Sequence, residues 1–177
     1  MTEAATHTQF AALPFRFRDG TSEVMLITSR GSGRWVIPKG WPSRRFPPAF
    51  AAAREAYEEA GLLGAMSKRP IGRYLYEKRL SKATPMRCEV EVFLLAVERE
   101  LLEWPERQDR GRWWLPPLHA ASCVAETGLQ DLFFDLHLRL QTDDRRELGI
   151  AGKALIDVGS NGKPKVRARR CRRPAKT

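Results

Sequence analysis

Cysteine is scarce: Cys88, Cys123 and Cys171 are scattered through 177 residues, with no C-x-x-C pair. That pattern excludes a disulfide framework and a thiolate zinc site, and it fits a reducing compartment. His7, His119 and His137 lack the spacing of a metal-binding pair. No run of 18 apolar residues occurs, so no membrane-spanning helix is expected. The first residues, MTEAATHTQF, lack a basic-then-apolar export pattern. The expectation is a soluble, cytoplasmic protein with no membrane partner. Acidic residues are missing from residues 163–177, KPKVRARRCRRPAKT, which carry eight cations. The formal net charge of +10 therefore leaves only +2 for the other 162 residues. A strongly basic chain suggests a nucleic-acid binder, but here the basicity belongs to a tail and says little about the domain. The tail reads first as a solvated end. Two other readings are weak contact with nucleic acid or polyphosphate by counterion release, and binding to an anionic lipid surface without a hydrophobic anchor.

What remains is enough for one domain with an ordinary core, and no internal repeat divides it. Residues 10–17 and 24–28 read as strands joined through an Asp19-Gly20 turn. Residues 35–37, 72–79, 87–97 and 113–115 read as four more. Residues 87–97 are the most apolar, which predicts a central position. Helices are expected from Pro47-Pro48 to a stop at Gly61, over 117–125 and over 129–141. In the last of these Leu129, Leu132, Phe133, Leu136 and Leu140 recur at helical spacing. Interleaved in this order, the elements predict an α/β fold with a mixed sheet sandwiched between helices. The domain is expected over residues 1–147, with residues 148–177 as a basic, disordered extension.

The densest chemistry lies in Arg54-Glu55-Ala56-Tyr57-Glu58-Glu59-Ala60-Gly61-Leu62. At about 100° per residue, Glu55, Glu58 and Glu59 project from one helix face. Like charges at this spacing destabilise an isolated helix by a few tenths of a kcal/mol per pair, roughly. A hard divalent cation between them would reverse that cost. The opposite face carries Ala49, Phe50, Ala53, Tyr57 and Ala60, a stripe suited to a core.

From Gly40 to Leu62 this stretch resembles the Nudix box, Gly-x5-Glu-x7-Arg-Glu-U-x-Glu-Glu-x-Gly-U, with U aliphatic. Gly40, Arg54, Glu55, Glu58, Glu59, Gly61 and Leu62 fall in register, with Ala56 a small stand-in for U. One position departs: the first glutamate of the pattern falls on Phe46. Flanking segments, Glu23–Arg30, Arg34–Gly40, Met86–Phe93, Glu103-Trp104-Pro105-Glu106 and Arg112–Leu115, resemble the diphosphoinositol-polyphosphate and diadenosine-polyphosphate branch.

The resemblance implies a hydrolase of phosphoanhydrides that uses Mg2+ or Mn2+. A phosphoanhydride repels hydroxide, so cleavage needs cations on its oxygens and a base for water. By the resemblance, Glu55 and Glu59 hold metal, Glu58 holds metal or acts as general base, and Gly40 offers its carbonyl. Arg54 orients the carboxylates. Glu89 and Glu91 are candidates for a further carboxylate outside the box, with a solvated sheet face as the bland alternative. Arg30, Lys39 and Arg87 are the preferred phosphate clamps, followed by Arg16 and Arg18. The substrate class implied is a small-molecule phosphoanhydride, such as a dinucleoside polyphosphate or a diphosphoinositol polyphosphate. Phe46 and the tail keep two alternatives open: a weakly active nucleotide- or RNA-binding module, and an RNA 5′-end pyrophosphohydrolase. Oligomeric state is left open.

Overall fold

In the computed structural model, the described residues are 5–78, 85–141, 148, 150, 156–158 and 164–166. β1 (His7–Arg18) runs parallel to β7 (Met86–Glu100), and these two strands form the spine of an eight-stranded mixed sheet. The other edge of β1 pairs first with β4 (Lys39–Gly40) and then with β2 (Thr21–Thr28), both antiparallel. Pro14 sits in the gap between these partners, where a missing N–H breaks no ladder. β2 continues the sheet through β3 (Trp35–Val36) and β8 (Arg112–Leu115). β7 pairs antiparallel with β6 (Gly72–Lys78) and β5 (Leu62–Met66), which confirms its central place.

Strand alternation decides which side chains enter which layer. Ala11, Leu13, Val90, Val92 and Leu94 face α2 (Pro117–Cys123) and α3 (Thr127–Gln141). Phe10, Ala12, Phe93 and Leu95 face α1 (Pro48–Ala60) on the other side. The result is a three-layer sandwich. All five apolar residues expected to line α3 are buried, with Phe133 and Leu129 fully so. Each such side chain contributes roughly 1.5–3 kcal/mol of transfer free energy.

α1 begins behind Pro47 with Pro48 at its first position and stops at Gly61, whose φ of 65° is left-handed. Its apolar stripe is buried as expected at Phe50, Ala53, Tyr57 and Ala60. β5 starts directly after that stop, and its five residues are all buried. It bulges at Leu63/Gly64, where any Cβ on Gly64 would overlap the Ala96 carbonyl.

The expected disordered extension does not describe every residue after 147. Leu148 joins the α3-side core, and Ile150 bridges Ser67. Ile156 is buried against the α1 layer, at the start of β9 (Ile156–Val158), which pairs with β10 (Pro164–Val166). Residues 148–158, LGIAGKALIDV, carry only two charged side chains, and the apolar ones account for these contacts. Most of the basic run, with Cys171, lies outside the described residues.

Candidate active site

A cleft of about 1010 Å3 opens where α1, β4, the turn after β2 and residues 101–111 converge. The end of α1 is held there by the segment facing it. The backbone N–H of Glu106 donates to the Glu58 carbonyl at 3.0 Å, and the Trp104 indole N–H donates to the Glu59 carbonyl at 3.2 Å. Arg112 donates to the Ala60 carbonyl at 2.8 Å, and the Leu101 N–H donates to the Gly61 carbonyl, also at 2.8 Å. These are the carbonyls that a helix end leaves without partners. The Arg112 guanidinium also lies 3.8 Å from the Trp104 ring centroid. Segment 101–112 thus fixes the last turn of α1, the turn that carries Glu58 and Glu59.

Within the cleft, Glu59 is buried and doubly engaged. One carboxylate oxygen accepts from the Arg110 guanidinium, and the other accepts from the Lys39 backbone N–H at 3.1 Å. Arg110 is only 6% exposed; it also donates to Glu106 at 2.8 Å and to the Thr28 carbonyl at 3.0 Å. Glu55 is buried one turn earlier and accepts from Arg54 at 3.2 Å. Arg54 also pairs with Glu58 at 3.5 Å, whose side chain is 40% exposed at the rim. Gly40 touches this group directly, since a Cβ there would overlap the Glu55 carboxylate.

Burial pushes Glu59 up to about 7, against the opposing pull of Arg110 and the Lys39 N–H. Burial also raises Glu55, with the Arg54 hydrogen bond pulling down and Glu58 pushing further up. Lys39 is lowered by burial despite the charges of Glu59 and Glu126. Its ammonium lies 5.4 Å from the Tyr76 ring centroid, and Tyr76 donates to Gln9 at 2.6 Å.

Arg54, Glu55, Glu59, Gly40, Arg30 and Lys39 all line the cleft, and Glu58 stands beside it. Three of the expected phosphate clamps lie elsewhere. Arg16 packs on Trp114 and is paired with Glu23 and Glu100. Arg18 is exposed beside Asp19, and Arg87 is exposed opposite Glu77 on β7. Glu89 and Glu91 pair with Arg73 and do not line the cleft. The further carboxylates lining the cleft are Glu77 and Glu106, the latter accompanied by Arg110. The only sequence signal for Glu106 was its place in the Trp104-Pro105-Glu106 segment, and nothing distinguished Arg110.

Among the described residues, no three His, Cys, Asp or Glu side chains yet converge closely enough to enclose a metal ion. Arg54 and Arg110 draw Glu55 and Glu59 toward themselves. The donor set nevertheless suits a hard divalent cation: two buried carboxylates, two more at the edge and a glycine backbone in contact.

No family model matches the chain. Among curated proteins, it is 33% identical over 132 residues to Nudix hydrolase 16, mitochondrial, of Arabidopsis thaliana, covering 67% of this chain and 73% of that one. It is 32% identical over 127 residues to Nudix hydrolase 12, mitochondrial, of the same plant. That match covers 70% of this chain but only 62% of the relative, so less than two thirds of the relative's length is spanned. Diphosphoinositol polyphosphate phosphohydrolase 2 of Rattus norvegicus is 30% identical over 102 residues, 58% of this chain and 52% of that one. Among solved structures, a C. elegans Ap4A hydrolase binary complex superposes with a TM-score of 0.57 at 18% identity, covering 77% of this chain and 99% of that one.

Proposed function

Because the chain belongs to the Nudix hydrolase family, we propose that it is a divalent-metal-dependent pyrophosphohydrolase acting on small-molecule phosphoanhydrides. The observation that carries this reading is the pair of buried carboxylates, Glu55 and Glu59, one turn apart on α1 and lining the cleft, with Glu55 packed directly against Gly40. Glu55, Glu59, Glu58 and the Gly40 carbonyl would hold Mg2+ or Mn2+. When bound, such an ion neutralises phosphate oxygens and makes coordinated water more acidic.

The rest falls to the chain's own side chains. Arg54 joins Glu55 to Glu58 and fixes their relative orientation. Glu58, more exposed than its neighbours, is the candidate to accept a proton from water. Arg30, exposed and paired with Glu106 at 3.6 Å, and Lys39 both line the cleft and can take the phosphate oxygens away from the cleaved bond. The cleft's volume is at the upper end for a small-molecule site, which suits an extended polyphosphate. Dinucleoside polyphosphates and diphosphoinositol polyphosphates are the preferred substrates, in keeping with the names of two of the similar proteins.

The test is product release from a panel of both substrate types, read as phosphate from diphosphoinositol polyphosphates and as mononucleotides from dinucleoside polyphosphates, with Mg2+ or with a chelator. Metal-dependent release from at least one type, absent in Glu59→Gln, is the expected result. Full activity in Glu59→Gln, or release that ignores the chelator, would overturn the proposal.

A further inference from the structure

The single departure from the box pattern, Phe46, occupies a defined place. Its ring stacks against Phe50 with centroids 4.5 Å apart and 37° between planes, at the edge of the apolar layer under α1. The Arg54 guanidinium carbon lies 5.9 Å from the centroid of that ring. Arg54 in turn holds Glu55 at 3.2 Å and Glu58 at 3.5 Å, and its Nε is buried without a hydrogen bond. The guanidinium is therefore bounded by two carboxylates and an aromatic ring.

We propose that Phe46 is a positioning residue that holds Arg54 by a cation–π contact and, through Arg54, sets Glu55 and Glu58. A carboxylate at position 46 would also attract Arg54, but it would divide the guanidinium's hydrogen bonds among three acceptors. The ring attracts the same cation through its electron-rich face and accepts none of its strong hydrogen bonds. Arg54 then keeps its donors for the two box glutamates. Without the ring, this side chain, 33% exposed as a whole, loses one of the walls that keep its guanidinium from turning toward water. The phenylalanine is in this light a replacement device rather than a lost ligand. Its effect on hydrolysis rests on the metal-site reading above, but the contact with Arg54 does not.

Four proteins separate positioning from packing: wild type, Phe46→Tyr, Phe46→Leu and Phe46→Glu. Two readouts are needed. One is the NMR shift of the Arg54 Nε–H in metal-free protein, which a nearby ring displaces. The other is the Mn2+ dissociation constant by calorimetry, with kcat/KM beside it. Phe46→Tyr should match wild type in both. Phe46→Leu should keep the thermal midpoint, lose the ring-induced shift, and weaken Mn2+ binding and kcat/KM roughly two- to five-fold, as expected for a partly exposed cation–π contact. Phe46→Glu should lose the shift but keep Mn2+ affinity, because a carboxylate can hold the same arginine. If Phe46→Leu binds Mn2+ and turns over as wild type does, or if the wild-type Arg54 Nε–H shows no ring-induced shift, position 46 serves only to pack on Phe50 and the proposal is overturned. If no protein binds Mn2+ or hydrolyses either substrate type, the metal-site reading fails; the Arg54 shift still decides whether the ring holds the arginine.

Discussion

Helix α1 and segment 101–112 face each other across the cleft, and different forces hold them in place. α1 is held by burial: Phe50, Ala53, Tyr57 and Ala60 lie in the core, so its backbone is fixed before any polar contact is considered. Segment 101–112 buries little, and Leu102 is 85% exposed. It is held instead by donors, from Leu101, Trp104, Glu106, Arg110 and Arg112, aimed at the end of α1. The helix wall supplies the charged oxygens, and the loop wall decides where they point. Changes to the first wall should alter chemistry, whereas changes to the second should alter geometry and stability together.

The largest effect is expected at Glu59. Glu59→Gln should lower kcat about 100-fold or more, the scale on which removing a group that acts on developing charge operates. The same change should stabilise the metal-free protein at pH 8, since a neutral isostere replaces a charge that burial disfavours. Steady-state kinetics and a urea titration on one preparation check both halves. Less stability in the variant at pH 8 would mean that Arg110 outweighs burial.

The loop wall comes next. Trp104→Ala removes the indole donor to Glu59 and the ring beneath Arg112, and should cost about 2 kcal/mol in denaturant. Gly61→Ala attacks the same junction from the helix side. Its φ of 65° is unfavourable for alanine, and the new Cβ would meet Trp104 at 2.9 Å, so about 1–2 kcal/mol is expected. Thermal midpoints of both variants against wild type rank the two.

A pH series is more modest. Both Glu55 and Glu59 titrate above their ordinary value when folded, so the native state binds protons more tightly than the unfolded chain. Their contribution to metal-free stability is present below about pH 4.5 and is lost as pH rises through about 7, the value for Glu59. Mn2+ competes with those protons. The rise in melting temperature on adding Mn2+ should therefore be larger at pH 8 than at pH 5.5; an equal rise at both would detach metal binding from these carboxylates. The smallest effect is expected from Leu102→Ser, within about 0.5 kcal/mol, because this leucine packs on almost nothing. A larger loss would show that the loop wall depends on burial after all.

The two walls were also unequally legible. α1 could be read almost to the residue, because Pro48, Gly61, the apolar stripe and the glutamates all obey one helical period. β7 announced its central place as the most apolar strand, and α3 its buried face by spacing. β5 went unread: Leu62–Met66 follows the helix stop directly, and five buried residues show no alternation to mark a strand. Arg110 reaches Glu59 across 51 residues of sequence from an irregular segment, where no period exists to be recognised. Arg16 looked like a phosphate clamp on position alone, yet Glu23 and Glu100 had already neutralised it. Local periodicity reveals which oxygens are available; only the fold reveals which cations face them.

The central claim is that Glu55 and Glu59 form the heart of a divalent-metal site. Calorimetric titration of Mn2+ into wild type and Glu59→Gln at pH 8, with folding verified by circular dichroism, tests it most directly. The account predicts saturable binding in the wild type that is lost or weakened at least ten-fold in the variant; no binding to wild type, or equal affinity in both, would contradict it.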